Sequence, residues 1–116
     1  MTTKSLYKYS GTVLRVVDGD GCVAMVDLGM KVYKQVVIRL ANINAPELTS
    51  KDPVIKAAAV ASKDYLTSLI GGKTIYFDSK SLDKYDRSIA EIFLEKATVS
   101  INTIMVEKGY AVKQKY

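Results

Sequence analysis

Five short segments of β-type residues, a change to helical periodicity after the third, and a second helical segment after the fifth together predict an α+β, mainly β fold. The arrangement is that of a five-stranded Greek-key barrel of the OB type, with a helix after strand 3 and a second helix after strand 5. At 116 residues the chain is long enough for one core and too short for two, so residues 1–116 are expected to form a single domain.

Residues 7–17 (YKYSGTVLRVV) read as the first strand, with Gly11 expected at a bulge or bend. Asp18-Gly19-Asp20-Gly21 is a tight turn, because Asp and Gly tolerate left-handed backbone and Asp bonds to nearby amides. Strands near 22–28 and 32–41 follow, separated by a turn at Gly29, and complete a three-stranded meander. The period then lengthens. Asp52 is placed to cap a helix with Pro53 at its first position, and Ile55, Ala58, Ala59, Ser62, Leu66 and Leu69 recur on one face as far as Ile70, where Gly71-Gly72 stops it. Residues 74–79 (TIYFDS) and 88–95 (SIAEIFLE) are two more strands, joined by the charged KSLDKYDR loop. A last helix is expected over 99–108, capped by Thr98, with Ile101, Ile104 and Met105 on its inner face and Gly109 at its end.

Composition narrows the chemistry. The chain has no histidine, which removes Ser-His and Cys-His catalysis and imidazole-ligated zinc. Cys22 is the single cysteine, so no intrachain disulfide can form. The opening MTTKSLYKYSG has no apolar core of a signal peptide, and no run is long enough to span a bilayer; the expectation is a cytoplasmic protein, or one of unknown compartment, without a membrane partner. Reactive groups must then be carboxylates, cations, hydroxyls or a hard metal. The net charge of +5 suits a phosphate-rich partner. Of the 17 basic residues only Arg15, Arg39 and Arg87 are arginines, whose planar fork matches carboxylates and phosphates.

Arg39 stands in VIRLANINAPE, a run without polar/apolar alternation. A guanidinium there needs an anionic partner. If strands one and three adjoin, Asp18, Asp20, Asn44 and Glu47 converge on one rim, where oxygen ligands suit calcium or magnesium. Asp-Gly-Asp-Gly is equally ordinary turn chemistry, Arg39 equally a structural ion pair with Asp18, Asp20 or Glu47, and Arg87 equally a solvated loop residue. An arginine beside a carboxylate cluster is also what attack on a phosphodiester requires.

VVDGDG, VIRLANINAPE and DKYDRSIAEIF, in that order and at these spacings, resemble the three hallmark segments of the staphylococcal nuclease (thermonuclease) family, over about residues 9–112. The resemblance implies an OB barrel that cleaves DNA and RNA phosphodiesters with Ca2+ and an attacking water. It implies Asp20 as a calcium ligand with Asp18 in support, and Arg39 and Arg87 as the arginines that bind the scissile phosphate. By the same resemblance Glu47 positions or activates the water, and Lys84 and Tyr85 hold a terminal phosphate of the nucleotide.

The sequence also departs from that pattern. Asn44 stands where the family usually has a second aspartate, which removes one negative charge from the metal site and should weaken it. Ala45 replaces a frequent threonine whose backbone carbonyl contacts the metal, and Gly21 replaces a common threonine after the DGD. The loop after Glu47 is short, and the chain ends at Tyr116 without the prototype's C-terminal helix, so barrel surface is expected to need cover, for instance in a homodimer. The expected function is a metal-dependent nuclease acting on DNA or RNA; the alternative is a catalytically weak or inactive module of the same fold that binds nucleic acid or protein.

Overall fold

The computed structural model describes residues 8–82 and 87–114, without the side chains of 79–82; Lys84 and Tyr85 lie outside the described residues. The elements run β1 (Lys8–Asp18), β2 (Gly21–Asp27), β3 (Tyr33–Leu40), β4 (Ile43–Asn44), α1 (Pro53–Ile70), β5 (Thr74–Leu82), β6 (Ser88–Leu94), α2 (Ile101–Glu107) and β7 (Val112–Lys113). Five strands close into a barrel in the order β1-β2-β3-β6-β5, and β4 pairs with β7 in a separate two-stranded ribbon. The barrel is the OB-type arrangement expected from the sequence.

Closure depends on two pairings that are not hairpins. β1 is long enough to pair with β2 along most of its length and with β5 at its start, from Lys8↔Asp78 to Thr12↔Thr74. β3 and β6 run parallel, with Ile38 opposite Ser88 and Leu40 opposite Ala90. The ring closes through this short pairing, which covers only Ile38 to Leu40 of β3. Inside it, Val13, Cys22, Ala24, Ile38, Leu40, Ile75 and Ile92 are almost wholly buried, and Leu66 and Ile70 of α1 with Ile101 and Met105 of α2 join the same cluster.

α1 begins as its sequence dictates: the Asp52 carboxylate accepts the Val54 N–H at 2.9 Å and Pro53 occupies the first turn, where its missing donor costs nothing. It ends at Gly71, whose N–H donates to the Thr67 carbonyl, and Gly72 continues in the left-handed region at φ 69°. Its buried face is Ala59, Ser62, Leu66 and Ile70, while Ile55 and Ala58 are exposed. Residues 53–58 are exposed, so the helical stripe extends further in sequence than in packing.

Three local expectations are corrected. The register shifts of β1 fall between Val13 and Arg15 and between Val16 and Asp18, not at Gly11. Gly11 is needed for a different reason: a Cβ there would stand 2.7 Å from the Met25 carbonyl oxygen of the neighbouring strand. The cap of α2 is Ser100, whose Oγ accepts the Thr103 N–H at 3.1 Å, rather than Thr98. Finally, strands one and three are not neighbours, because β2 lies between them.

Candidate active site

Asp20 meets Arg39 without β1–β3 adjacency, because it immediately precedes β2, whose first residue pairs with Arg39 on β3. The Leu40 N–H donates to the Asp20 carbonyl at 2.8 Å, which docks the turn on the end of β3. Within the turn, Asp18 Oδ1 accepts the Asp20 N–H at 3.2 Å. That carboxylate also lies over Gly21, where a Cβ would come within 3.1 Å of Asp18 Oδ1. A larger residue at 21 would crowd Asp18, so the glycine leaves the two acidic groups free to sit together.

Asp20 is buried, and its Oδ2 accepts the Ala45 N–H at 2.9 Å and faces Arg39 NH2 at 3.3 Å. Arg39 NH1 donates to its neighbour's carbonyl, Leu40 O, at 2.7 Å, which fixes the guanidinium at the end of β3. The half-buried arginine of VIRLANINAPE therefore has Asp20 as its anionic partner. The Asp20 carboxyl is nevertheless pushed up to about 6 from 3.8, first by burial and then by its hydrogen bond to and repulsion from Asp18. The Ala45 N–H and Arg39 pull the other way and are outweighed. For Asp20, burial and the neighbouring Asp18 outweigh the positive charge that Arg39 brings.

Asn44 ends β4 and is exposed, opposite Val112 of β7, and Ala45 is buried behind it. A cleft of about 220 Å³ opens beside them, lined by Asn44, Ala45, Pro46 and the turn from Gly109 to Val112. Glu47 follows in an exposed turn in which its carbonyl accepts the Ser50 N–H at 3.2 Å. Among the described contacts, none joins the Glu47 carboxylate to Asp20 or Arg39. Arg87 is half-buried immediately before β6, one residue ahead of the Ser88↔Ile38 pair and two ahead of Ile89↔Arg39. The parallel β3–β6 register thus places Arg87 just ahead of the strand that adjoins Arg39.

The donor set fits a hard cation held by few protein groups. Among the described residues no cluster of three or more His, Cys, Asp or Glu side chains forms a ready cage. What is present is a pair of crowded carboxyls, Asp18 and Asp20, with the Ala45 backbone held against Asp20 by its N–H and Asn44 preceding Ala45 in the chain. Oxygen donors of this kind, completed by water, suit calcium or magnesium and disfavour softer metals.

Two supports were not foreseen from the sequence. Gly19 packs so closely on α1 that a Cβ would lie 1.9 Å from Ser62 Oγ and 2.8 Å from the Ala45 Cβ, while Ser62 Oγ itself donates to the Tyr110 carbonyl at 2.8 Å. Asn102 of α2 is buried, accepts the Ile92 N–H at 3.0 Å, and donates to the Ala41 and Ala90 carbonyls at 2.9 and 3.1 Å. It therefore ties the segment after Arg39 to β6. The one sequence signal for both is a small polar residue on an otherwise apolar helical face, and that signal does not say what it will bond. A separate cleft of about 410 Å³ around Tyr76 and Phe93 at the β1–β5 side contains none of the candidate site residues.

Barrel, acidic turn and paired arginines define a staphylococcal-nuclease-like OB domain. The family described as "Staphylococcal nuclease homologue" matches residues 37–116, and this chain belongs to it. It is 28% identical over 102 residues to a Haemophilus influenzae protein named "Uncharacterized endonuclease", covering 88% of this chain and 52% of that one. A protein of the same name from Escherichia coli O157:H7 is 33% identical over 101 residues, with 87% and 58% covered. "Endonuclease YhcR" of Bacillus subtilis is 33% identical over 113 residues, covering 90% of this chain and 9% of that protein. The chain thus spans little more than half the length of the first two relatives.

Proposed function

We propose that this domain is a metal-dependent nuclease that hydrolyses phosphodiester bonds in DNA or RNA, with calcium as the metal. The observation that carries the reading is the Asp20 centre: one buried carboxylate, crowded by Asp18, gathers the Arg39 guanidinium and the Ala45 N–H at one end of the barrel. Family membership and the printed names of the relatives support the same reaction class.

Asp20 would hold the cation together with the Asn44 amide, the Ala45 carbonyl and Asp18 in support. A bound cation would supply charge neutralisation for the phosphate oxygens. At rest, Asp20 occupies Arg39. A phosphate entering beside it gives the guanidinium a second, doubly hydrogen-bonded anion, and Arg87, just ahead of the adjoining strand, approaches the same group. Both interactions strengthen as negative charge gathers on the phosphorus oxygens, so they act mainly on the rate of the chemical step. Glu47, on its exposed turn, accepts a hydrogen bond from the attacking water and takes its proton. Lys84 and Tyr85 are assigned to a terminal phosphate of the substrate on family resemblance alone.

Asn44 favours a second reading, a binding module whose metal site is too weak for turnover, because the amide contributes no charge. Cleavage of fluorophore-quencher DNA and RNA oligonucleotides across a calcium titration separates the two. Cleavage abolished by chelator and by Arg87→Ala is expected; intact oligonucleotide binding with no cleavage at millimolar-scale calcium would overturn the nuclease.

A further inference from the structure

From the outer face of β1, β2 and β3, we infer a track for the unpaired flank of a single-stranded nucleic acid, running from Arg39 to the β2–β3 hairpin; the inference rests on the nuclease reading for the placing of one end of the strand.

Strand parity defines the face. Cys22, Ala24 and Val26 of β2 and Ile38 and Leu40 of β3 belong to the core cluster, so Val23, Val37, Arg39 and Tyr33 project from the opposite side of the sheet. In β1 the register shift between Val13 and Arg15 turns two consecutive residues, Leu14 and Arg15, outward, and both are exposed. Arg15 is opposite Val23, which is opposite Val37 in turn. Val23 is 1% exposed yet stands outside the core cluster, so it is the floor between those two side chains. Around that floor Leu14 and Val37 remain 48% and 39% exposed, and Tyr33 at the far end of β3 is 61% exposed.

The chemistry of this face selects its occupant. Arg15 stands in the middle of an apolar floor, Arg39 lies at one end on the same side of β3, and Lys31 is exposed in the hairpin at the other. An anionic backbone with flat apolar bases meets both requirements, whereas an apolar protein surface would leave Arg15 desolvated without a partner. The track is continuous with the candidate phosphate site, because Arg39 and Val37 alternate on one strand. From Arg39 to Tyr33 the strand spans roughly 20 Å, room for about four nucleotides, the lower end of what OB barrels hold. Arg15 takes a phosphate one step along from the scissile one, and Tyr33 offers a ring on which an unpaired base stacks. Duplex DNA cannot present that base face.

The test uses fluorescence anisotropy with labelled single strands of two to eight nucleotides, in calcium, on a Glu47→Gln background that suppresses cleavage, together with cleavage of the shortest and longest strands by the chain with Glu47 intact. Affinity is expected to rise with length and level off near six nucleotides. Arg15→Ala and Tyr33→Ala, both exposed and remote from the reacting groups, should each weaken the eight-nucleotide strand about fivefold or more and leave the dinucleotide unchanged. Arg15→Ala should also flatten the salt dependence by about 0.7 in log–log slope, one single-strand phosphate contact. Length-independent affinity, equal losses for long and short strands, or equal binding of duplex with no effect of Tyr33→Ala would overturn the track. A dimer that Leu14→Glu dissociates without changing oligonucleotide affinity would also overturn it, by assigning the face to a second copy. If no strand is cleaved with Glu47 intact while the length and variant effects persist, the track stands and the nuclease reading falls.

Discussion

At Arg39 a guanidinium is held between the Asp20 carboxylate at 3.3 Å and the Leu40 carbonyl at 2.7 Å, so its position is set before any substrate arrives. Preorganised charge of this kind contributes most where charge develops. Arg39→Ala is therefore expected to lower kcat about 100-fold or more while changing oligonucleotide affinity far less; steady-state cleavage and direct binding, measured on the same variant, check this. Equal losses in both would reduce Arg39 to a binding residue. Asn44 makes the complementary case. It is exposed at the end of β4, so a carboxylate there is hydrated in the free protein, and in the proposed metal site it would add a charged ligand to Asp18 and Asp20. Asn44→Asp should tighten calcium several-fold and shift the calcium dependence of cleavage to lower concentration. Calorimetric titration of calcium without substrate reads this effect whether or not the variant cleaves.

At the scale of elements, the site depends on how α1 and α2 press on the acidic turn and the arginine strands. Gly19 leaves no space between the turn and α1: a methyl at this position meets Ser62 Oγ at 1.9 Å and carbons of both Ser62 and Ala45 at 2.8 Å. Gly19→Ala is expected to cost about 1–3 kcal/mol of stability in urea unfolding. Combining it with Ser62→Gly should recover part of that cost as a favourable coupling energy, although the Ala45 contact remains. Asn102→Ala removes three buried hydrogen bonds between α2, β6 and the segment after Arg39, leaving the Ile92 N–H without its acceptor. A loss of roughly 2–4 kcal/mol is expected, again by urea unfolding. Much of the element order can be read in the sequence, because strands and helices declare themselves by periodicity and α1 by Asp52-Pro53 and Gly71-Gly72. The two-residue strands β4 and β7 carry no periodicity to read, and they exist because Ile43 and Asn44 meet Val112 and Lys113 across about 70 residues of chain. The same limit applies within the site. Asp18, Asp20, Arg39 and Asn44 stand in motifs, but the choice of Asp20 as the partner of Arg39, and the props from Ser62 and Asn102, are set by packing between distant segments.

For the molecule as a whole, Cys22 reports on how firmly the barrel is closed. It is fully buried in β2, and burial, with a smaller contribution from the Asp18 charge, pushes its thiol up to about 12. The nucleophile is the thiolate. A shielded thiol so disfavoured in its ionised form should react with a disulfide reagent only when the barrel opens, and the opening must be extensive because β2 is paired on both sides, with β1 and with β3. Labelling of Cys22 in the native protein is therefore expected to follow the global unfolding free energy across a urea series. Rapid labelling independent of urea would instead show that β2 opens locally. Because Cys22 is two residues from Asp20, this readout also tests metal binding without reference to catalysis. A ligand that binds the folded chain alone slows global opening by a factor of about 1 + [L]/Kd, close to 100-fold at one hundred times Kd. Calcium together with a non-cleavable dinucleotide should slow Cys22 labelling in that way, and Asn44→Asp should give the same slowing at lower calcium. No change in labelling at any calcium concentration, with the urea dependence intact, would remove calcium from the site while leaving the barrel and its arginines in place.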